Sequence, residues 1–563
     1  MCIRDRYQDS NLIQEEILTS VSGVREGRYN IFMVGDVKQS IYRFRLSRPE
    51  LFMEKFDTYD LADGPRQRID LHKNFRSRRE VLDSVNLFFR KLMRRELGGI
   101  AYDDRAALYV GADYPEGGDF HTEVLLIDPE LPEADPYLAG PSDRELEARC
   151  IAGEIQRLLA GQQVMDKESG TMRPARYRDM VILTRSIQGT AEVFATVLAR
   201  EGIPAHVGTR EGYFSAQEVS LVLDYLQVLL NRQQDIPLTA VLASPIGGLD
   251  SEELAKIRCA WPKIPFHRAA ELYRSEGEDA GIREKVENCL GTMDRLRQKV
   301  PYTPMHELLR MVLEDTGYGD YAAAMPGGAQ RRANLEMLVE KARSFEATSY
   351  KGLFHFIRYI RQLEKYDVDY GEANMEDEQS DAVRIMTIHK SKGLEFPIVF
   401  VAGMGKRFNL QDARSMVTLH ADLGIGLEAV DLTQRTKSPS LIKKIIQKEE
   451  VLDSLAEELR VLYVAFTRAK EKLIISGILP GAEEKLAVAV REEKGREGAL
   501  PYGKLSRAVT WWDWLLPALA GMPAESPVDV RILDLGDITE GEGLQETADV
   551  IRRQMLENWD RCV

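Results

Sequence analysis

No stretch of 18 apolar residues occurs in this sequence, and Met1 to Arg6 run into charged and polar residues rather than a hydrophobic core. Neither a membrane-spanning helix nor a secretory leader is therefore expected, and the cytoplasm is the default compartment. Cysteine is scarce: Cys2, Cys150, Cys259, Cys289 and Cys562 are odd in number and widely scattered, which argues against a disulfide framework and against a zinc or iron–sulfur cluster. Positive charge is in deficit. A net charge of -15 speaks against a general nucleic-acid coat but allows a basic track inside an acidic body. No internal repeat emerges. With 29% charged, 44% apolar and 8% aromatic residues, a chain of 563 residues is expected to be folded, in three or four units of about 150 residues each.

Local balance says more than the total. Residues 28–95 carry 16 Lys or Arg against 9 Asp or Glu, a stretch suited to phosphate, while 367–381 hold seven acids and no base and read as a solvated loop. The apolar run 29–34 stopped by Gly35-Asp36 predicts a buried strand feeding a loop, after a helix at 12–22. Pro49-Glu50 opens a further helix. A strand at 67–71, the polar loop His72 to Ser77 and a helix to about Arg95 repeat the pattern. Strands are also expected at 123–127, 180–184, 384–388, 397–401 and 472–476, with helices at 144–159 and 191–200 and around 441–460. This alternation predicts a parallel α/β sheet with functional loops at strand ends. From 225 to 365 the pattern is helical throughout, which suggests a separate insertion. Beyond about 480 it decays, and Trp511, Trp512 and Trp514 are expected to anchor a short helix ahead of a linker.

Several segments carry chemistry. Asp36 and Gln39 lie where a carboxylate can organise a metal-water shell and an amide can orient a nucleophile, although a tight polar turn has the same composition. Tyr42, Arg43, Phe44 and Arg45 interleave aromatic and basic residues, a combination that suits stacking on unpaired bases and contact with phosphates; packing of Tyr42 and Phe44 into a core is the competing reading. In Asn74-Phe75-Arg76, Arg76 can reach a phosphoryl group and Phe75 can cover a base, or Arg76 can be a surface arginine. The run Thr387-Ile388-His389-Lys390-Ser391-Lys392-Gly393-Leu394-Glu395 can bind phosphates, with Glu395 accepting from a sugar hydroxyl. His389 has no Cys or carboxylate at ligand spacing and is not read as a metal ligand. Thr467-Arg468 offers a second phosphate clamp.

Read in order, these segments resemble the later motifs of the UvrD/Rep type of superfamily 1 helicases. Asp5-Arg6-Tyr7-Gln8-Asp9-Ser10-Asn11 is similar to motif II, 35–45 to motif III, 74–77 to motif IV, 384–401 to motif V and 457–470 to motif VI. Arg48-Pro49-Glu50-Leu51-Phe52, Val181 to Arg185 and Gly212-Tyr213-Phe214-Ser215 bring the wording nearer to the branch of helicase/nuclease A subunits (AddA type). The resemblance covers about 1–520. It implies RecA-like P-loop NTPase helicase domains, the first incomplete: 1–60 the C-terminal part of the first, 61–224 and 378–480 the second, 225–377 a helical insertion, and 481–563 a linker toward a C-terminal nuclease domain.

The resemblance further implies ATP and Mg2+ as cofactors, with Gln39 sensing the γ-phosphate, Arg76 and Arg468 clamping it, Phe75 packed against the adenine, Glu395 holding the ribose and Asp5 as the magnesium carboxylate. Tyr42, Phe44, Arg45, Arg185, Thr387 and His389 would face single-stranded DNA. The implied activity is 3′–5′ DNA translocation by one half of a heterodimeric helicase-nuclease, working on a duplex end during double-strand-break repair beside a B subunit of the AddB type. Two features depart from the family. Arg6 stands where it places its catalytic Glu, and a cation cannot accept a proton. No Gly-x-x-x-x-Gly-Lys-Ser/Thr loop occurs, so this sequence by itself is expected to hydrolyse ATP poorly. A stand-alone UvrD-like repair helicase and a non-catalytic DNA-binding scaffold are the alternatives. Retention of Gln39, Arg76, Glu395 and Arg468 speaks against the scaffold.

Overall fold

A computed structural model describes residues 2–533 apart from 116, 130–141, 167–168, 188, 208–212, 326–327, 348–350, 366–380, 497 and 524. Residues 367–380 of the acidic run expected to be a solvated loop, the end of the expected linker from 534 on, and Gly212 lie outside the described residues. No described helix is long and apolar enough to cross a membrane. The chain divides into two compact units, Met1–Gly208 with Asp381–Val563 and Thr209–Ser380.

The first unit is built on a seven-stranded sheet in the order Val528–Leu533, Thr122–Ile127, Ala469–Ile478, Phe396–Val401, Met180–Thr184, Val383–Thr387, Ala205–Val207, parallel at every pairing. Its central strands are near-continuous apolar runs, as a sheet covered on both faces requires. Alternate side chains serve different cores. Val181, Leu183, Val399, Val401, Leu473 and Ile475 pack with helix Arg79–Leu92 and with the C-terminal half of helix Leu441–Phe466. Ile182, Ile398, Phe400 and Ile474 pack with helices Asp143–Gly161 and Ala191–Arg200. The expected α/β alternation is thus a doubly wound sheet, and the loops following Met180–Thr184 and Val383–Thr387 leave its carboxyl edge side by side.

Four expectations change. The buried strand at 29–34 is only Ile31–Met33, paired in parallel with Cys2–Arg4; with no further strand beside this pair among the described residues, Phe32 stays half exposed. The strand at 67–71 reduces to one bridge from Asp60 to Gln67; Ile69 and Leu71 alternate correctly but find no core and remain exposed. The helical unit starts earlier than 225, because the helix that crosses that border, Gln217–Leu230, packs into its core through Val219, Val222 and Leu226.

Residues 481–533, finally, are no linker. Helices Ala482–Glu493 and Trp512–Ala520 join the main core and Val528–Leu533 extends the sheet. Three indoles bring too much apolar surface to leave in water, and two find backbone partners there, Trp512 Nε1 donating to Ile478 O at 3.1 Å and Trp514 Nε1 to Leu505 O at 3.0 Å.

Candidate functional site

Beyond strand Ile31–Met33 the chain turns sharply, and Asp36 organises the turn. Its carboxylate accepts from Lys38 N at 3.1 Å and from Gln39 Nε2 at 3.1 Å and pairs with Lys38 Nζ at 2.9 Å. Its own N–H donates to Gln8 Oε1 at 3.2 Å, so the turn is seated on the segment that follows strand Cys2–Arg4. Gly35 is needed for that approach: a Cβ there would lie 2.5 Å from Gln8 Oε1 and 3.0 Å from the Phe52 ring.

Arg76 is aimed by an Asx turn, with Asn74 Oδ1 accepting from Arg76 N at 2.8 Å and Ser77 N at 3.0 Å, while Ser77 Oγ anchors to Ala469 O at 2.7 Å. Its Nε donates to Glu395 Oε2 at 2.5 Å. Arg468, only 1% exposed, is held from all sides: Nε to Val464 O at 2.9 Å, Nη1 to Leu394 O at 3.1 Å and Nη2 to Thr467 Oγ1 at 3.1 Å. Burial first, and the neighbouring Arg76 second, push its guanidinium down to about 10; Glu395 and Asp36 act in the opposite direction. Arg76, Glu395 and Arg468 are therefore brought to one place, and Asp36, which holds Gln39, lies near enough for its charge to act on Arg468. Two arginines that repel each other across a single carboxylate form a site that a multiply charged anion relieves. Phe75 is 74% exposed, with its ring against the backbone of Gly111, where a Cβ would come within 3.0 Å.

A second cluster lies around His389. Tyr42 and Phe44 meet edge to face at 5.8 Å; Phe44 contacts His389 at 5.8 Å and Tyr42 contacts it at 6.4 Å. Arg45 sits 5.4 Å from the Tyr42 ring and 5.5 Å from the Phe44 ring. Phe44 is 65% exposed, so core packing does not explain it. Thr387 caps the short helix Ile388–Ser391 through its Oγ1, which accepts from Lys390 N at 3.2 Å. Burial, with Arg185 and Lys392 nearby, pushes the His389 imidazole down to about 4 and leaves it neutral near pH 7. Arg185 approaches this cluster, but its guanidinium is engaged by Glu458 at 2.8 Å.

Asp5 is exposed, and among the described residues no hydrogen bond or ion pair occupies its carboxylate. Arg6 beside it adopts a left-handed conformation (φ 48°) and sends its guanidinium toward Gly393.

Sequence reasoning missed the connections. Lys392, 3% exposed, pairs with Asp9 at 2.6 Å and lies 4.5 Å over the Tyr42 ring. Lys470 stands 3.9 Å from Glu395. The long helix Leu441–Phe466 touches the 38–43 segment repeatedly: Arg460 Nε donates to Ser40 O at 2.8 Å, Lys38 lies 5.7 Å over the Tyr463 ring, and Glu450, Asp453, Ser454 and Glu457 surround Arg43. The charged face of that helix, legible as a stripe, was the available signal; its partner some 400 residues away was not.

Two family models match the chain, the UvrD/REP helicase N-terminal domain over residues 2–60 and the UvrD-like helicase C-terminal domain over residues 69–479. Among curated proteins, the A subunit of the ATP-dependent helicase/nuclease of Lachnoclostridium phytofermentans is 42% identical over 96% of this chain and 45% of its own length. The proteins of the same name from Bacillus licheniformis and Clostridium botulinum are 43% and 41% identical, each over 92% of this chain and 42% and 43% of their own lengths. The chain thus spans a little under half the length of these relatives.

Proposed function

From the premise that the chain belongs to the UvrD-like helicase family, we propose that it supplies the γ-phosphate-sensing and strand-gripping parts of an ATP-driven DNA translocase, within the A subunit of a helicase-nuclease. One observation carries the reading. The anion-seeking cluster of Arg76, Glu395 and Arg468, with the Asp36–Gln39 turn beside it, and the aromatic cluster of Tyr42, Phe44 and His389 are joined by one short segment, 36–45, which lies along one helix.

In this proposal the γ-phosphate takes Arg76 from Glu395 and meets Arg468 on its other side, with Gln39 reporting its presence through Asp36. Arginines in this role contribute about 10³- to 10⁵-fold to turnover. Freed from Arg76, Glu395 accepts from the ribose, and Phe75 covers the adenine. Asp5, with no protein partner among the described residues, would hold magnesium; a hard cation that keeps several waters and phosphate oxygens needs only one or two protein carboxylates. The metal would neutralise charge on the phosphates. Tyr42 and Phe44 stack on bases, Arg45 meets the backbone, and Thr387, His389 and Arg185 line the same track. Polarity from 3′ to 5′, partnership with a B subunit and the processing of broken duplex ends belong to the same proposal. The identity to helicase/nuclease A subunits over more than nine-tenths of the chain favours it over a stand-alone repair helicase.

The chain itself tests the gripping half. Anisotropy with a labelled oligothymidylate of about 16 nucleotides should show binding that exceeds binding to duplex of equal length and falls on Tyr42→Ala. Absence of single-strand binding would sink the reading. Fusion behind the N-terminal segment of the Lachnoclostridium relative, with Arg6→Glu to restore the carboxylate at that position, tests the other half, since DNA-stimulated ATPase should appear and should vanish in Arg76→Ala and Arg468→Ala.

A further inference from the structure

Arg43 lies between Tyr42 and Phe44, in a run whose composition suggests that every basic residue meets DNA. Its contacts say otherwise. Nη2 pairs with Glu450 at 2.9 Å and Asp453 at 3.0 Å, Nη1 reaches Ser454 Oγ at 3.4 Å, and the Arg43 N–H donates to Glu457 Oε1 at 3.3 Å. These four partners are spaced i, i+3, i+4 and i+7 on helix Leu441–Phe466, which puts them on one face. We propose that Arg43 is a positioning residue: it locks the Tyr42–Phe44 grip to the long helix, so that displacement of that helix displaces the grip.

What the grip holds rests on the proposed function; the lock rests on contacts alone. A guanidinium facing two carboxylates, with a third holding the backbone N–H of the same residue, is not available to a phosphate. The side chains of Arg43, Glu450 and Asp453 are 29%, 15% and 40% exposed, and ion pairs that open to water add little to stability, so stability does not explain the arrangement. What it does supply is register. Down the same helix Arg460 holds the Ser40 carbonyl and Tyr463 lies under Lys38, so 38–43 and 450–463 run alongside each other from the grip to the turn that Asp36 organises. The helix ends at Phe466, two residues before Arg468. A change in what Arg468 holds therefore has a rigid path to Tyr42 and Phe44.

The test uses the 563-residue chain and labelled oligothymidylate. Arg43→Ala should weaken binding about three- to tenfold with an unchanged salt slope, whereas a lost phosphate contact lowers the slope by about 0.7. Glu450→Gln combined with Asp453→Asn gives the decisive sign. Removing two acids near a polyanion strengthens binding if they act only through charge, and weakens it if they hold Arg43. Arg43→Glu with Glu450→Arg should recover most of the affinity. Stronger binding in the acid-to-amide variant, or a lowered slope in Arg43→Ala, overturns the proposal. Hydrogen exchange decides it independently of DNA: amides 40–46 should exchange faster in Arg43→Ala, and unchanged exchange there refutes the lock even if DNA binding proves absent.

Discussion

Replacing Lys392 with methionine keeps the side-chain stem and removes only the ammonium that meets Asp9 at 2.6 Å, with 3% of the lysine and 10% of the aspartate side chain exposed. Even with the partner in place, burial outweighs the ion pair and holds the Asp9 carboxyl above its ordinary value of 3.8, while burial lowers Lys392. Breaking one side of such a pair costs about 3–5 kcal/mol, and the lower end applies here because Asp9 keeps some contact with water. Protonation sets a ceiling. Neutralising a carboxyl of ordinary pKa 3.8 costs about 4.4 kcal/mol at pH 7 but only about 1.6 kcal/mol at pH 5. In the variant the folded carboxyl lies above its unfolded value, so the folded state binds more protons and the ionic deficit shrinks as pH falls. Urea denaturation of both chains at the two pH values measures it. A deficit of about 3 kcal/mol at pH 7 that at least halves at pH 5 is expected, and Asp9→Asn in the same chain should recover most of it. A deficit that does not change with pH refutes the reasoning, because lost packing over Tyr42 would then account for it.

Arg468→Ala, in the fusion with a relative's N-terminal segment, should cut DNA-stimulated ATPase at least about 10³-fold while single-strand affinity of the chain stays within about twofold; equal losses in both would remove Arg468 from the phosphate side. Phe44→Ala should cost about 1–3 kcal/mol of oligothymidylate affinity, read by anisotropy, and an unaffected Kd would return Phe44 to the status of a surface aromatic. His389, held down near 4 from 6.5, stabilises the fold fully above pH 6.5 and loses that contribution as pH falls toward 4, about 3 kcal/mol in all; His389→Gln should flatten that part of the acid-unfolding curve. Trp514→Ala should destabilise the first unit by about 3–5 kcal/mol in thermal or urea unfolding, since a tail that is only a linker would lose nothing.

The doubly wound sheet was legible because its central strands are short apolar runs bounded by polar loops and alternate with helical patterns. The candidate site was legible wherever function and sequence adjacency coincide: Asn74, Phe75 and Arg76 sit on one turn, and Tyr42 and Phe44 flank one another. What escaped were pairings between distant segments. Nothing local marks Lys392 for Asp9, or Glu450 for Arg43, since an ion pair leaves no periodicity. The pairing of Arg185 with Glu458 escaped as well, because that carboxylate lies on a helix that reads as solvent-facing from its charge alone. The expected strand at 67–71 failed for the opposite reason, since its alternation is correct but no apolar layer lies beneath Ile69 and Leu71. The tail was misread because Gly, Glu and Lys near 480–500 resemble a linker, while the tryptophans that bury it come later.

The order of strands in the seven-stranded sheet sets a clock for synthesis. Thr122–Ile127 pairs on one side with Ala469–Ile478 and on the other with Val528–Leu533, so both neighbours of this wholly buried strand emerge more than 300 residues after it. At about 5–20 residues per second, it waits roughly 17–70 s without a partner on either edge. Its sequence, Thr-Glu-Val-Leu-Leu-Ile, is apolar and β-prone, of the kind that adds to any open edge it meets. Helix Arg79–Leu92 precedes it and helix Asp143–Gly161 follows it closely, and both pack on the finished sheet. During that interval they are the nearest covers for its two faces, and neither can close its edges. Yield in a cell then depends on how long a nascent chain can be kept from its neighbours, and slowing translation between codons 130 and 469 should lower soluble recovery more than the same delay placed after 533.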